Sequence, residues 1–483
     1  MRVEHSPFLT LLVLAPFCAF AGWVKAYDET RGIPDFEISQ DGGYVLISQT
    51  TELDTAVNLC IIKTDTLGNK IWEKQYPCSQ YVEAHSIKRT SDEAYIISFF
   101  VQSSDSTNGR WLLKIDAQGD TIWSRFFKGG YVFQVAETND SNYIATGECS
   151  DSNINKLWLV KVNQQGKTLW ERTLDRSDSS INNGYSLYPI SDGGCIVGGR
   201  TDLKIKDFPH YKQDIWLLKF DKNGDTIWTK TYGYADGFQT WGYGITSILQ
   251  TEDKGFLFIA HRNYGIGKFD YDVWLVKTNP VGETLWTRTF GNGPLSDQDE
   301  ALSLRHTSDG GYIIVGDTRL AGNILISAWL IKTDSNGDSL WARTYDWTGY
   351  DVATQVRQTS DGGYILSACK YIFCDTCLYY FSGLLLKTDS LGYVGISEPP
   401  STPPPSHEFE ISNPIGSSIT LRYFDCPNGF RASVYDATGR KVDELSTPNQ
   451  SGVLVWGPSQ NPGVYFVVAE GSNLKSTKVV LVR

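Results

Sequence analysis

From Ser308 to Thr318 the chain reads SDGGYIIVGDT, and from Ser360 to Lys370 it reads SDGGYILSACK. Variants of the phrase precede these two, namely SQDGGYVLISQT, SDEAYIISFF, NDSNYIATGE, SDGGCIVGGR and EDKGFLFIAH, so that it occurs seven times. A second phrase follows each copy. WLLKIDAQGDTIWSRFF is typical, the first copy (LCIIKTDTLGNKIWEKQY) is degenerate, and the last (GLLLKTDSLGYVGIS) lacks its tryptophan. The aligned lysines, Lys63, Lys114, Lys161, Lys219, Lys277, Lys332 and Lys387, stand roughly fifty to sixty residues apart. A unit of that size cannot bury its own apolar faces, so equivalent units have to stack, as in solenoids and propellers.

Within a unit the elements are short, β-rich and bounded by turn residues, as in ALSLRHT, YIIVGDT, AWLIKT and SLWARTY of the sixth copy. The composition agrees: 15 Trp and 13% aromatics suit pleated, half-buried strands. DGG between the first and second strands supplies the positive φ of a tight hairpin. In D-x-x-G, as at Asp334 to Gly337, the Asp opens a type I turn and the Gly closes it in the left-handed region. These aspartates therefore read as turn formers; calcium is the weaker alternative, since DKNGD at Asp221 to Asp225 is too short for an EF-hand loop. Seven units of four antiparallel strands predict an all-β chain, a seven-bladed β-propeller. The segment GWVKAYDETRG aligns with LWARTYDWTGY, which sets Trp23 on Trp341 and Tyr27 on Tyr345. Trp23 to Tyr27 is thus expected to supply the outer strand that the last unit is missing, over a propeller spanning 22–397.

The ends differ from this array. Residues 1–21 have one early Arg, an apolar run from Phe8 to Phe20 and Ala19 and Ala21 around Phe20, the pattern of a secretory signal peptide cut after Ala21. A lipid anchor at Cys18 fits less well, with bulky Phe17 before it. No other apolar run is long enough to span a bilayer as a helix. The net charge of −12, without a basic cluster, excludes nucleic acid as an expected partner. Eight cysteines remain after residue 21, too sparse for a disulfide scaffold. Cys374 and Cys377 in CDTC read as a local disulfide or as free thiols; a zinc site would need a second ligand pair. No metal or cofactor is expected. A Pro-rich linker at 398–406 leads to 407–483, where SITLRYF, RASVYDATGRKVDEL, GVLVWG, GVYFVVAEG and STKVVLVR alternate as strands of an immunoglobulin-like sandwich.

That tail carries Asn413-Pro414, the Asp436 and Gly439-Arg440 hairpin, Gly463-Val464-Tyr465 before a strand, and a terminal Lys478-Val479-Val480 strand. In this order the features resemble the C-terminal sorting domain of the type IX secretion system. The resemblance implies delivery across an outer membrane by that machinery, to the cell surface or beyond. The G-D-T-I-W turns of the array resemble the tryptophan-docking motifs of pyrroloquinoline quinone propellers and the Asp-box hairpins of sialidase-type propellers. The repeated Trp is read as packing between units and not as a cofactor contact.

Both hairpins of a unit fall on one face, and the remaining connections on the other. The latter vary and are rich in aromatics, for example TDLKIKDFPHYKQD, YGYADGFQTWGYG and HRNYGIGKFDYD. Ligand contacts are expected there, on variable loops held by a rigid scaffold. The candidates are Trp241, Tyr234, Tyr211, Tyr271, Trp347 and Tyr350, with His261 and Arg262. The position five residues beyond the Tyr of DGGY holds Gln49, Phe100, Glu148, Arg200, His261, Asp317 and Cys369, the variety expected of a binding rim or of ordinary strand ends. The favoured reading is a non-catalytic module binding glycan or protein through flat aromatic faces. The alternative is a secreted polysaccharide hydrolase or lyase, with carboxylates from among Glu148, Asp299, Glu300 and Asp351. A structural spacer in a surface assembly is also compatible with these residues.

Overall fold

The computed structural model describes residues 22–50, 57–78, 81–102, 108–151, 154–175, 179–204, 211–233, 244–263, 271–291, 298–319, 326–347, 350–374, 377–394, 409–411, 415–423, 430–436, 440–449, 452–457, 460–469 and 476–481. The segment read as a signal peptide and the Pro-rich linker lie outside them. The chain divides into two compact units, Met1–Ser397 and Glu398–Arg483.

The larger unit is a β-propeller array of four-stranded antiparallel meanders. Sheet 1 holds Asp35–Ile38, Tyr44–Gln49, Leu59–Thr64 and Lys70–Tyr76; sheet 2 holds Tyr81–Arg89, Tyr95–Gln102, Gly109–Ile115 and Thr121–Lys128. Sheet 3 (Val132–Glu137, Tyr143–Asp151, Ile154–Val162, Thr168–Leu174) and sheet 4 (Ser179–Pro189, Cys195–Lys204, Tyr211–Phe220, Thr226–Tyr232) are joined by one parallel bridge, Asn155 to Ile181. Sheet 5 holds Ser247–Gln250, Phe256–Asn263, Tyr271–Thr278 and Thr284–Phe290; sheet 6 holds Asp299–His306, Tyr312–Arg319, Ile326–Thr333 and Ser339–Tyr345. Sheet 7 takes Asp351–Gln358, Tyr364–Cys374 and Cys377–Thr388, and its fourth strand is Trp23–Tyr27. The register runs from Trp23 opposite Lys387 to Tyr27 opposite Gly383. The alignment of Trp23 with Trp341 thus locates a real strand.

Apolar clusters lie between successive sheets. Leu249, Leu257 and Ile259 of sheet 5 meet Leu304, Tyr312 and Ile314 of sheet 6, and Ile313, Val315 and Leu330 of sheet 6 meet Val356, Tyr364 and Leu366 of sheet 7. The same packing joins the last sheet to the first, where Ile365, Leu385 and Tyr27 meet Phe36, Tyr44, Leu46 and Ile62. The ring of cores is therefore closed. Middle strands have neighbours on both faces, which is why YVLISQ and LCIIKT read as continuous apolar runs and are almost wholly buried. Fourth strands such as TLWTRTF have a solvent edge and alternate between exposed and half-buried.

Three devices recur on the hairpin side. The repeat lysine reaches the Asp of the DGG turn, as in Lys63–Asp41 at 2.8 Å, Lys277–Asp253 at 2.7 Å and Lys387–Asp361 at 2.8 Å. The repeat Trp covers the D-x-x-G glycine of the next sheet. Gly337 has φ +79°, and a Cβ built there would stand 2.6 Å from Trp286. Trp23 covers Gly68 in the same way. Tyr27, Tyr232 and Tyr345 donate to the carbonyls of Gly68, Gly282 and Gly392 at 2.7, 2.6 and 2.7 Å. Trp is thus a packing residue between sheets, and its neighbour is glycine because the turn needs positive φ and the indole leaves no room.

The smaller unit is all β, with one three-stranded and one five-stranded sheet. Ile419, Leu421 and Trp456 of the first face Phe430, Val434, Val467 and Val479 of the second in one core. Asp436 accepts from the Arg440 backbone and guanidinium, both at 3.1 Å, closing the hairpin. Gly439 and Asn413-Pro414 lie outside the described residues.

Candidate functional site

The first strands of sheets 1 to 7 surround one axial cavity, lined among others by Glu37, Lys88, Gln134, Tyr188, Leu249, Arg305 and Arg357. Toward the variable-loop side these strands share an irregularity. In sheets 2, 3, 4, 6 and 7 the pairing slips by one residue, between Ala84 and Ser86, Val132 and Gln134, Gly184 and Ser186, Ala301 and Ser303, and Ala353 and Gln355. The residues left unpaired are His85, Phe133, Tyr185, Leu302 and Thr354. A bulge of this kind interrupts the pleat and re-aims the side chain that it carries.

Three of these residues form an arc across consecutive sheets. The rings of His85 and Phe133 lie 5.4 Å apart at 79°, and those of Phe133 and Tyr185 lie 4.9 Å apart at 49°. Tyr131 extends the arc, stacked on Phe133 at 6.1 Å and 5° and on Phe100 at 4.1 Å and 24°. His85, Phe133, Tyr185 and Tyr131 are half-buried, while Phe100 is buried behind them. Burial pushes the His85 imidazole below its ordinary pKa, although Glu83 stands 4.0 Å away.

Polar groups border the arc. Asn183 donates to the Tyr185 hydroxyl at 2.9 Å. Glu148 is 6% exposed and accepts from Asn155 at 3.1 Å. Its burial raises the carboxyl pKa against the opposing pull of Asn155, Arg200 and Arg110. Arg200 faces Asp202 at 3.0 Å. Flat apolar faces beside a few fixed donors and acceptors are the composition of a small-molecule or sugar subsite.

On sheets 5 and 6 the chemistry is different. Asp317 and Glu300 are directly opposed across the pair of strands. Two carboxylates at that spacing do not ionise together easily. Burial, then Glu300 and Asp299, raise the Asp317 pKa well above the usual range, with Arg319 opposing. His261 is buried at the adjacent sheet, where its Nε2 accepts from the Ala301 backbone at 3.2 Å. Burial lowers its pKa, and Glu300 pulls the other way. The arrangement sets the Asp317 carboxyl, whose pKa is raised, opposite Glu300 and beside a buried imidazole within one patch.

Of the rim positions, Glu148, Arg200 and Phe100 join the aromatic arc and its border, and His261 and Asp317 join the acidic patch. Gln49 accepts from the Ala84 backbone at 3.4 Å, and Cys369 is a half-buried free thiol. Arg262 follows His261 on the opposite face of its strand and is half-buried. Asp299 is buried and accepts from the Thr318 hydroxyl, while Asp351 accepts from the Trp347 backbone at 2.7 Å, so both hold local structure. Trp347 is half-buried and stacked on Tyr345, with centroids 6.0 Å apart and planes at 7°. Tyr350 is half-buried and its backbone forms an isolated parallel bridge with Ile326. Tyr211 and Tyr271 begin third strands opposite Lys204 and Asn263; their side chains, and those of Cys374 and Cys377, lie outside the described set. Tyr234 and Trp241 lie outside the described residues.

Sequence reasoning missed His85, Phe133 and Tyr185. The signal was the position ten residues before the Tyr of DGGY, which carries a ring in three consecutive units and becomes Leu302 in the sixth and Thr354 in the seventh.

No family model and no curated protein matches the chain. Solved structures do match. The Dos1 propeller is similar over 78% of this chain and 97% of its own, at 11% identity and a TM-score of 0.42. The polysaccharide lyase Uly1 is similar over 74% and 90%, at 11% identity and a TM-score of 0.47. A puromycin hydrolase matches 71% of this chain and 51% of its own, at 14% identity and a TM-score of 0.41. Such likenesses carry neither substrate nor reaction to this chain.

Proposed function

We propose that the protein is an exported, outer-surface seven-bladed β-propeller that binds a glycan at the axial mouth on its variable-loop face. In this reading residues 1–21 are removed, and the terminal unit is an immunoglobulin-like sorting domain handled by type IX secretion machinery. The observation carrying the binding role is the arc of His85, Phe133 and Tyr185 on three successive bulges, backed by Tyr131 and Phe100 and bordered by Glu148, Asn183 and Arg200. Half-buried rings in a fixed row give a sugar face its stacking surface at low cost in side-chain entropy. The separate core of the terminal unit supports its role as a detachable signal. Glycan-array binding of the full chain tests this: a defined ligand should be retained, and Phe133→Ala with Tyr185→Ala should weaken it tenfold or more. Equal binding by the double variant would overturn the site.

A second reading follows from Asp317 opposite Glu300 beside His261. A carboxyl whose pKa is raised by burial, set beside a second carboxyl group, is the pairing that acid–base cleavage of a polysaccharide uses. Product release from polysaccharides, abolished by Asp317→Asn, would establish it. Binding without product, unaffected by that change, would remove it.

A further inference from the structure

Toward the hairpin side, the axial cavity encloses about 300 Å³ and is lined by residues from every sheet of the ring. That is room for roughly ten water-sized groups. Its walls are of two kinds. Ala136, Leu187, Ile248, Leu249 and Leu304 are apolar, while Glu37, Lys88, Arg305 and Arg357 bring charge.

Most of this charge is internally matched. Arg357 reaches Asp35 and Glu37, both at 3.1 Å, and Lys88 reaches Glu37 at 2.9 Å and Asp35 at 3.3 Å. Two cations and two carboxylates thus form a neutral quartet across sheets 7, 1 and 2. Burial disfavours the Glu37 carboxylate, yet Lys88 and Arg357 outweigh it and hold its pKa down to about 2.

Arg305 lies beside this quartet as a fifth charged group, within reach of the field of Asp35 and Glu37 but without a direct bond to either among the described residues. Its guanidinium donates to the Leu304 carbonyl at 2.8 Å, the Gln355 amide oxygen at 2.8 Å and the Ser247 hydroxyl at 3.4 Å, all neutral acceptors. Among the described residues no carboxylate forms an ion pair with it. Burial, then repulsion from Arg357, brings its pKa down to about 10 against the pull of Asp35 and Glu37, so it remains a cation at neutral pH and leaves the group of five with one positive charge in excess. An excess positive charge in a partly enclosed cavity of a chain with net charge −12 is a site for an incoming anion.

We propose that this axial cavity binds a small organic carboxylate with a short apolar body, its carboxylate on Arg305 and its body against Leu249, Ile248 and Ala136. A strongly hydrated inorganic anion would gain the charge and nothing from the apolar wall. A neutral amide of the same shape would gain the wall and not the charge. Only the carboxylate gains both. The site is separate from the aromatic arc and does not depend on it.

Calorimetric titration of the full chain with benzoate, benzamide and inorganic phosphate tests this. Benzoate should bind at least tenfold more tightly than the other two, and Arg305→Gln should abolish the difference. Arg305→Lys, which keeps the charge and loses the planar fork, should weaken benzoate severalfold while sparing the fold. In the unaltered protein the Arg305 Nε–H resonance should shift on adding benzoate. No benzoate binding, equal binding of phosphate, or a motionless Arg305 resonance would each overturn the proposal.

Discussion

The two faces of the ring treat the same repeat in opposite ways. On the hairpin face each unit uses one set of parts: a lysine on the turn aspartate, a tryptophan on the next unit's glycine and, in several sheets, a tyrosine hydroxyl on that glycine's carbonyl. On the loop face one aligned position holds Gln49, Phe100, Glu148, Arg200, His261, Asp317 and Cys369. Because the contacts of one face already fix the angle and spacing of the sheets, the other is released from structural duty. Its variation is then free to serve recognition.

The comparison predicts a gradient of damage. The largest effect should come from deleting residues 22–27. The deletion removes a whole strand with the half-buried Trp23, worth about 2–4 kcal/mol on truncation, and the buried Tyr27, worth about 3–5 kcal/mol. The sum approaches the entire stability of a typical domain, so denaturant unfolding should lose its cooperative transition. Next come Trp286→Ala and Gly337→Ala. The first should cost about 2–4 kcal/mol because the indole is only half-buried, and the second about 1–2 kcal/mol for a non-glycine residue at φ +79°, plus the clash with Trp286. A double variant that costs less than the sum of the two single ones would confirm that the residues form one device.

A smaller effect belongs to the lysine–aspartate pairs. Burial opposes ionisation of Asp41, Asp253 and Asp309, but the bonds from lysine, hydroxyl and backbone N–H prevail and hold them down to about 2. The free carboxylate has a pKa near 3.9. A folded value below the unfolded one means stability that is complete above about pH 4 and lost as the pH falls toward 2. Melting temperature should therefore drop over that window, and Lys277→Met should lower it at pH 7 while flattening the acid decline. These aspartates are about half exposed, so each pair counts modestly. The smallest stability effect should come from the loop face, where Phe133→Ala and Tyr185→Ala should lower the unfolding free energy by less than about 1 kcal/mol each. If they destabilise as strongly as Trp286→Ala, the division of labour between faces is refuted.

Much of this fold was legible in the sequence because its determinants are local. A turn of type D-x-x-G needs its glycine whatever lies around it, and the DGG hairpin needs one residue of positive φ, met by Gly42 and Gly310 and, in degenerate copies, by Glu93, Ser141 and Lys254. The closing strand was legible for a related reason: Trp23 repeats Trp341. The candidate site was legible only in part. Glu148, Arg200 and Phe100 stood out as a variable column, but His85, Phe133 and Tyr185 did not, because strict alternation assigns a residue to one face and a bulge cancels that assignment.

The sequence by itself determined the strands, the turns, the repeat and the partner of the first strand, since each depends on residues near in the chain or on identity between copies. Only the tertiary structure decided that Arg357 would meet Asp35 some 322 positions away, that the Glu300 and Asp317 pair of one hairpin would lie beside His261 of the adjacent sheet, and that among the described residues no carboxylate would form an ion pair with Arg305. Those outcomes depend on how one sheet packs on the next and, for Arg357 and Asp35, on ring closure, which bring together side chains that no local rule relates in a low-dielectric interior where charge is set by the neighbours present.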